Sequence, residues 1–170
     1  MSSSKGDLRS PSFWIGHLVI IVATVVGVYL AANQGFKLAM EVDVVKGEKN
    51  NYYLRSSLKH ELAANVGYVR EYIAKVQNQT ADPVLQLETF VWRTMTYSPS
   101  TLETPPELLR EAQKFYHRVD EIMGTSFYNL QAKARHLGEL ADHVEQKVLP
   151  RLEENIAGVK RWLDERNVAY

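Results

Sequence analysis

Two histidines and a glutamate in the C-terminal half of the chain have the spacing of a metal site on a helix. His136, Glu139 and His143 lie at positions i, i+3 and i+7, and His117 lies upstream on the same predicted helix. Residues at this spacing share one side of a helix, where they could bind a metal ion. Di-iron bundles, however, use paired Glu-x-x-His motifs, and the sequence contains none. We interpret these residues as a solvated helix face and predict no metal site.

The other common catalytic signatures are absent from the sequence. His60-Glu61 begins an H-E-x-x-H zinc motif, but Ala64 stands where the second His is required. The sequence contains no glycine-rich phosphate loop and no G-x-S-x-G nucleophile turn. The lack of Cys excludes disulfides, thiolate metal sites and a Cys nucleophile. The sequence therefore predicts no catalytic residue and no cofactor, and an enzyme ranks last among the candidate functions.

Aromatic pairs and overall charge do not select a ligand. The pairs are Tyr52-Tyr53, Phe115-Tyr116 and Phe127-Tyr128. Aromatic residues at helical spacing most often pack in the hydrophobic core or at its rim. Lys plus Arg total 20 and Asp plus Glu total 20, so no excess of positive charge favours nucleic acid. We expect no nucleic-acid partner.

An uncharged apolar segment near the N-terminus predicts a transmembrane helix. The 20 residues from Phe13 to Ala32 contain no Asp, Glu, Lys or Arg. As a helix rising about 1.5 Å per residue they reach ~30 Å, the thickness of the bilayer hydrocarbon core. Phe13-Trp14 and Tyr29 fit the aromatic belts at its two surfaces. A cleaved signal peptide is the alternative, but its apolar region is usually shorter and Leu30 fits a cleavage site poorly.

The flanking charges favour an N-terminus in the cytoplasm. Lys5 and Arg9 precede the segment against one acid, Asp7, whereas lysines and acids are mixed after it. The bias is slight, because the lysines after the segment also count. We expect residues 1–12 to form a cytoplasmic tail and 13–32 to cross the membrane. The remainder would then lie outside the cytoplasm, in the periplasm if the protein is bacterial.

Small residues form a stripe along one face of this predicted helix. Ala23, Gly27, Ala31 and Gly35 are spaced four apart, which gives three consecutive small-xxx-small steps. Small side chains let a second helix approach closely within a membrane. We therefore predict a helix–helix interface at these four residues, with either another membrane protein or a second copy of the chain as the partner.

Beyond the membrane segment the pattern predicts an all-α domain. Residues 33–50 are expected to be a helical extension or linker, weakened by the polar run at 46–51. Residues 51–170 are expected to form an extracytoplasmic bundle of three to four helices. The first helix carries an apolar stripe at Leu54, Leu58, Leu62, Val66, Val69, Ile73 and Val76. No long run alternates with the period of two that is typical of a strand.

Two helix starts are indicated in the middle of the chain. Asp82-Pro83 has the form of an N-cap followed by a first helical residue, and the short helix that follows is expected to be the most buried. Its predicted apolar face is Val84, Leu87, Val91 and Met95. After a connection at 98–106, Thr104 and Glu107 have the spacing of a capping box.

The last helix is predicted to be long and kinked near Pro150. Apolar residues recur every three or four positions from Leu108 to Leu163, and Pro150 is the single proline within that run. The simplest interpretation is one helix passing through Gly124-Thr125-Ser126, with a turn at Gly124 as the alternative.

These features together favour a membrane-anchored interaction protein, an accessory or scaffolding subunit of a membrane complex. Its expected partners are the lipid bilayer and either another membrane protein or a second copy. One alternative is a helical-bundle sensor that binds a small molecule and signals through a partner. A spanin-like envelope protein is a further alternative, although Pro83, Pro99, Pro105 and Pro106 would fold its rod back on itself.

Overall fold

The computed structural model describes residues 11–79 and 84–170. All regular structure in these residues is helical, which confirms the predicted all-α class, and no strand occurs among them. The chain divides into two compact units, Met1–Val44 and Val45–Tyr170, called unit 1 and unit 2 below. The predicted tail at 1–12 falls mostly outside the described residues.

The first helix, α1, spans Pro11–Gln77 and supplies residues to both units. It continues through the polar run at 46–51, where the sequence predicted a weakened helix. Tertiary contacts account for this continuity: Asn51 is fully buried, and Lys49 Nζ donates a hydrogen bond to the carbonyl of Ala169 at 2.7 Å. The helix ends as predicted before Asn78, and Gln79 follows in a left-handed conformation with φ 53°.

Unit 1, as far as it is described, consists of α1 alone. This part of α1 is long and apolar enough to cross a membrane, and none of its most apolar stretch is buried within the chain. His17 and Thr24 are satisfied within the helix. His17 Nδ1 lies 2.9 Å from the Phe13 carbonyl, and Thr24 Oγ1 donates to the Ile20 carbonyl at 2.8 Å. Such internal bonding is what a hydrocarbon environment requires of polar groups.

Unit 2 contains the C-terminal part of α1 and four further α-helices. These are α2 (Phe90–Tyr97), α3 (Pro106–Gly124), α4 (Leu130–His143) and α5 (Leu149–Asp164). A short 3-10 helix, Pro99–Glu103, follows α2, and a π-helical turn, Val144–Val148, joins α4 to α5.

Contacts along α1 fix the chain directions within unit 2. In the direction of the chain along α1, Asn51 is hydrogen-bonded to Glu103, just before α3, and Glu61 is hydrogen-bonded to Tyr116 within α3. The helix α3 therefore runs parallel to α1. Arg55 bonds Asn155 whereas Arg70 bonds Asp142, so α4 and α5 run antiparallel to it.

The apolar stripes predicted for α1, α3, α4 and α5 build the core. The fully buried members include Leu58, Leu62, Val69, Phe115, Leu137, Ala141, Val144 and Leu152. At roughly 25 cal/mol per Å² of apolar surface removed from water, this burial is the main force holding the three long helical segments together.

The interpretation of residues 108–163 as one helix kinked near Pro150 is wrong, and the alternative of a turn at Gly124 is confirmed. The helix α3 ends at Gly124, and Asn129 begins α4 as its N-cap, with its side chain accepting from the Ala132 amide at 2.8 Å. Polar side chains that bond nearby backbone compete with helix, and here they make the turn. Phe127, placed on the stripe by its spacing, is 94% exposed in this turn.

The interruption predicted near Pro150 takes the form of the π turn. Leu149 donates its amide to the Val144 carbonyl, five residues back, and Pro150 follows without an amide hydrogen. Because the π turn shifts the helical hydrogen-bond pattern here, no backbone hydrogen bond is required from the Pro150 nitrogen, which has no hydrogen to donate. Val144 and Val148 both remain buried, so the apolar stripe passes through the turn intact.

The middle of the chain differs most from prediction. Asp82 and Pro83 lie outside the described residues, and α2 begins later than expected, at Phe90. Met95 is its one fully buried residue, so the expectation that this helix is the most buried is wrong. The predicted capping box also fails: Pro105 occupies the N-cap of α3, and the Thr104 side chain points into the protein without forming a cap bond.

Candidate interaction site

The predicted interface residues lie on an open strip of α1 in unit 1. Ala23, Gly27, Ala31 and Gly35 are all exposed. A Cβ placed on Gly27 or Gly35 would meet no other atom within 4 Å, apart from the backbone of the helix itself. The surrounding large side chains are at least half exposed: Leu18, Val19, Ile20, Val22, Val25, Val26, Val28 and Leu30. No described residue covers this strip, and its role as an interface stays a prediction.

The predicted histidine set is divided between two separate contacts on α4. His136 Nδ1 lies 3.4 Å from Glu139 on the same helix, whereas His143 Nε2 lies 2.9 Å from Glu111 Oε2 on α3. His143 therefore ties two helices together. No group of three potential metal ligands occurs in residues 11–79 and 84–170.

The contact between His143 and Glu111 shifts the acidity of the carboxyl group. The pKa of Glu111 is lowered below its ordinary value, first by the hydrogen bond from His143 and second by the one from Lys114. Lys114 Nζ lies 2.9 Å from Glu111 Oε1, so each carboxylate oxygen has a basic partner. Such pairing favours the charged form of the carboxyl group.

A groove of about 570 Å³ lies between the C-terminal half of α3, the turn that follows it and the C-terminal half of α4. His136, Glu139 and His143 line it together with Phe127 and Tyr128 from the intervening turn. Of the three aromatic pairs in the sequence, Phe115-Tyr116 belongs to the core, whereas Phe127 is almost fully exposed. The interpretation of all three pairs as core and rim is therefore wrong for Phe127.

A buried polar cluster that the sequence analysis did not identify joins α1, α2 and α3. We call Glu61, Asn65 and Tyr116 the Glu61 cluster. Glu61 accepts hydrogen bonds from the amides of Val91 at 2.6 Å and Trp92 at 3.0 Å, and from the Tyr116 hydroxyl at 2.6 Å. Burial and this carboxylate raise the pKa of Tyr116, so its hydroxyl stays protonated and donates.

Asn65 completes the Glu61 cluster by pairing with main chain. Its Nδ2 donates to the Glu88 carbonyl at 2.7 Å, and its Oδ1 accepts from the Glu88 amide at 2.8 Å. The same Nδ2 lies 3.2 Å from the Tyr116 hydroxyl. Fully buried Asn65 therefore satisfies both backbone groups of one residue that lies outside any helix.

A second polar cluster lies around Arg55 near the beginning of unit 2. Arg55 donates to the Asn155 side chain at 3.0 Å and to the Glu103 carbonyl at 2.6 Å, and Asn51 donates to the Glu103 carboxylate. Burial lowers the pKa of Arg55, and the charges of Glu48 and Glu103 oppose that shift. This cluster holds the end of the 3-10 helix against α1 and α5.

The spacing of these residues contains a signal that could have located both clusters. Asn51, Arg55, Glu61 and Asn65 fall on the same face of α1 as Leu58 and Leu62, at steps of three and four. A polar residue on an apolar stripe must be hydrogen-bonded when the stripe is buried. The sequence does not tell which partners satisfy it, because those partners lie 23 to 100 residues away.

The chain was compared with family models, with curated proteins and with solved structures, and none of them matches it.

Proposed function

We propose that this chain is a membrane-anchored interaction protein that acts without catalysis as an accessory or scaffolding subunit of a membrane complex. The observation that carries the proposal is α1. One helix supplies the exposed apolar surface of unit 1 and a buried face of the core of unit 2. An apolar surface of this length is stable in a bilayer and unfavourable in water.

In this proposal the N-terminus lies in the cytoplasm and unit 2 lies outside it as an extracytoplasmic bundle. The orientation follows from Lys5 and Arg9 ahead of the span. Unit 2 would present its helices to a partner in that compartment, while the small residues of α1 contact a partner within the bilayer.

The small-residue strip gives the sharpest test. Gly27→Ile adds a branched side chain where a second helix backbone would approach, and in lipid each contact contributes only about 1 kcal/mol. We expect the variant to lose whatever co-purifies with the wild-type chain after gentle detergent extraction. The open space around Gly27 means that the substitution should not disturb the chain itself.

The matched control is Val26→Leu, which enlarges a neighbouring exposed residue outside the strip. It should retain the partner at the wild-type level. Recovery of a second copy would indicate a homodimer, and recovery of a different membrane protein would indicate a hetero-complex. If nothing co-purifies with the wild type, or if Gly27→Ile keeps the partner, the interface proposal fails.

The groove between α3 and α4 favours a sensor as the second candidate. Its volume is within the range of small-molecule sites, and two aromatic side chains and two histidines line it. A sensor of this kind would transmit its signal through another protein. It becomes the leading function if the wild-type chain proves to have no partner within the membrane.

A further inference from the structure

The segment from residue 84 to 103, which we call the strap, is held to the bundle by polar contacts to its main chain and by a small amount of apolar packing. It contains α2 and the 3-10 helix, and Met95 is its one fully buried apolar side chain. Leu85, Leu87, Val91 and Trp92 are partly buried against the core. By contrast, Val84, Phe90, Tyr97 and Leu102 are each at least 80% exposed.

The Glu61 cluster binds the main chain of the strap. The Glu61 carboxylate accepts the amides of Val91 and Trp92 in the first turn of α2, where no helical carbonyl is available to them. Asn65 pairs with both backbone groups of Glu88. Glu61 therefore acts as an N-cap contributed by another helix, since Thr89 at the cap position makes no side-chain bond.

The same carboxylate is costly to bury if the strap moves away. Glu61 is only 5% exposed, and within the described residues it forms no salt bridge with Lys, Arg or His. Two of its three hydrogen-bond donors belong to the strap. The buried charge is stable with the strap docked, and with the strap released water must replace the two lost donors.

The core does not depend on the strap for most of its contacts. Apart from Met95, every fully buried apolar residue comes from α1, α3, α4, the π turn or α5. A helical core of this kind can retain its packing when a segment with few buried side chains opens locally.

We propose that the strap is a releasable element of unit 2. Glu61 and Asn65 latch its α2 end, Asn51 and Arg55 hold its other end at Glu103, and α2 opens as one local unit while the surrounding helices stay folded. Opening transfers Met95 from the protein interior to solvent and uncovers the Glu61 cluster. It also frees the exposed apolar side chains of the strap to move as a group.

Amide hydrogen exchange on the full chain in detergent micelles or nanodiscs tests this proposal. In the wild type, peptides covering residues 88–98 should exchange faster than peptides from the buried parts of α1 and α3. Glu61→Gln keeps the shape of the side chain but cannot accept both amides, so exchange in the strap should rise about tenfold or more. Exchange in α4 and α5 should stay within about twofold of the wild type.

Two further variants keep the outcome decisive. Glu121→Gln makes the same substitution on an exposed face of α3, where Glu121 pairs with Arg118 of the same helix, and should leave exchange in the strap unchanged. Tyr116→Phe removes one donor from Glu61 but keeps both strap amides, so it should give a smaller increase confined to the strap if Glu61→Gln does not fold. Equal exchange of strap and core in the wild type would overturn the proposal, as would an increase in Glu61→Gln or Tyr116→Phe that is equal in the strap and in α4.

Discussion

At the residue scale, polar side chains join the elements of unit 2 to one another. Glu61 binds α2 and Asn65 binds Glu88 just before it, Arg55 binds the 3-10 helix and α5, and His143 binds α3 through Glu111. A hydrogen bond or ion pair that joins two elements contributes to the free energy of unfolding only while both elements are packed together. These contacts therefore specify how the helices are arranged, while the apolar stripes supply most of the stability.

The pair of Glu111 and His143 makes the free energy of unfolding depend on pH in the acidic range. The pKa of Glu111 in the folded state is lowered from its ordinary value of 4.5, so the contribution of the pair is fully present above that value. It is lost as the pH falls through the lowered pKa. We expect Glu111→Gln to unfold at a midpoint that depends less on pH below about pH 4.5 than that of the wild type.

Urea unfolding of the full chain at several acidic pH values, followed by circular dichroism, measures this difference. Glu121→Gln is the control because Glu121 pairs with Arg118 on the same helix and joins no second element. Identical pH profiles for Glu111→Gln and the wild type would contradict the assignment of this contact.

At the element scale, the turn between α3 and α4 decides the topology of unit 2. Without it, the apolar stripe would continue away from α1 instead of returning beside it. The return places Gly138 against Ile73 and lets Arg70 bond Asp142 at 2.5 Å and Glu145 at 2.6 Å. These acids raise the pKa of Arg70, which remains charged.

The N-cap of α4 should contribute measurably to this turn. Asn129→Ala removes the side-chain acceptor for the Ala132 amide and should lower the free energy of unfolding by about 1 kcal/mol. Gln131→Ala, which removes an exposed polar side chain two residues later, should change it by less than half as much. Chemical denaturation of the full chain in detergent measures both, and equal effects would show that the cap does not stabilise the turn.

The same turn shows which features of the fold the sequence could predict. The three-and-four spacing identified most buried apolar positions of α1, α3, α4 and α5, because burial of one helix face depends on local periodicity, but it did not identify Tyr72, Tyr116 or Ile122. The spacing could not decide between one helix and a turn at Gly124, since it remains regular across Gly124 and places Phe127 on the stripe. Asn129 is the local sign of a helix start.

The strap was harder to predict for a different physical reason. The Asp82-Pro83 start signal and the apolar spacing suggested a buried helix from Asp82, but residues 84–89 are not helical, and Asn65 pairs with both backbone groups of Glu88 there. A side chain from a distant helix satisfies the backbone there, so the local sequence does not need to. The polar clusters were missed for the same reason, because each is completed by residues far away in the chain.

At the scale of the whole molecule, the two units differ in whether the apolar side chains of their helices are buried or exposed. In unit 2 the apolar faces of the helices are turned inward, and Leu58, Leu62 and Leu137 are fully buried. In unit 1 the large apolar residues of α1 from Leu18 to Val44 are exposed around the whole helix. Such a surface is stable in a bilayer, and in the proposed function a second membrane helix covers its small-residue strip.

One experiment tests the anchor and its direction together. Intact spheroplasts that express the chain with an N-terminal tag are treated with protease, and their membranes are then washed at alkaline pH. With the proposed orientation we expect a shortened, tagged fragment in the washed membrane pellet, because unit 2 would be outside and the apolar segment would stay in the bilayer. Lysed spheroplasts serve as the control that the tag itself can be digested. Recovery of tagged protein in the wash, or loss of the tag from intact spheroplasts, would contradict the account.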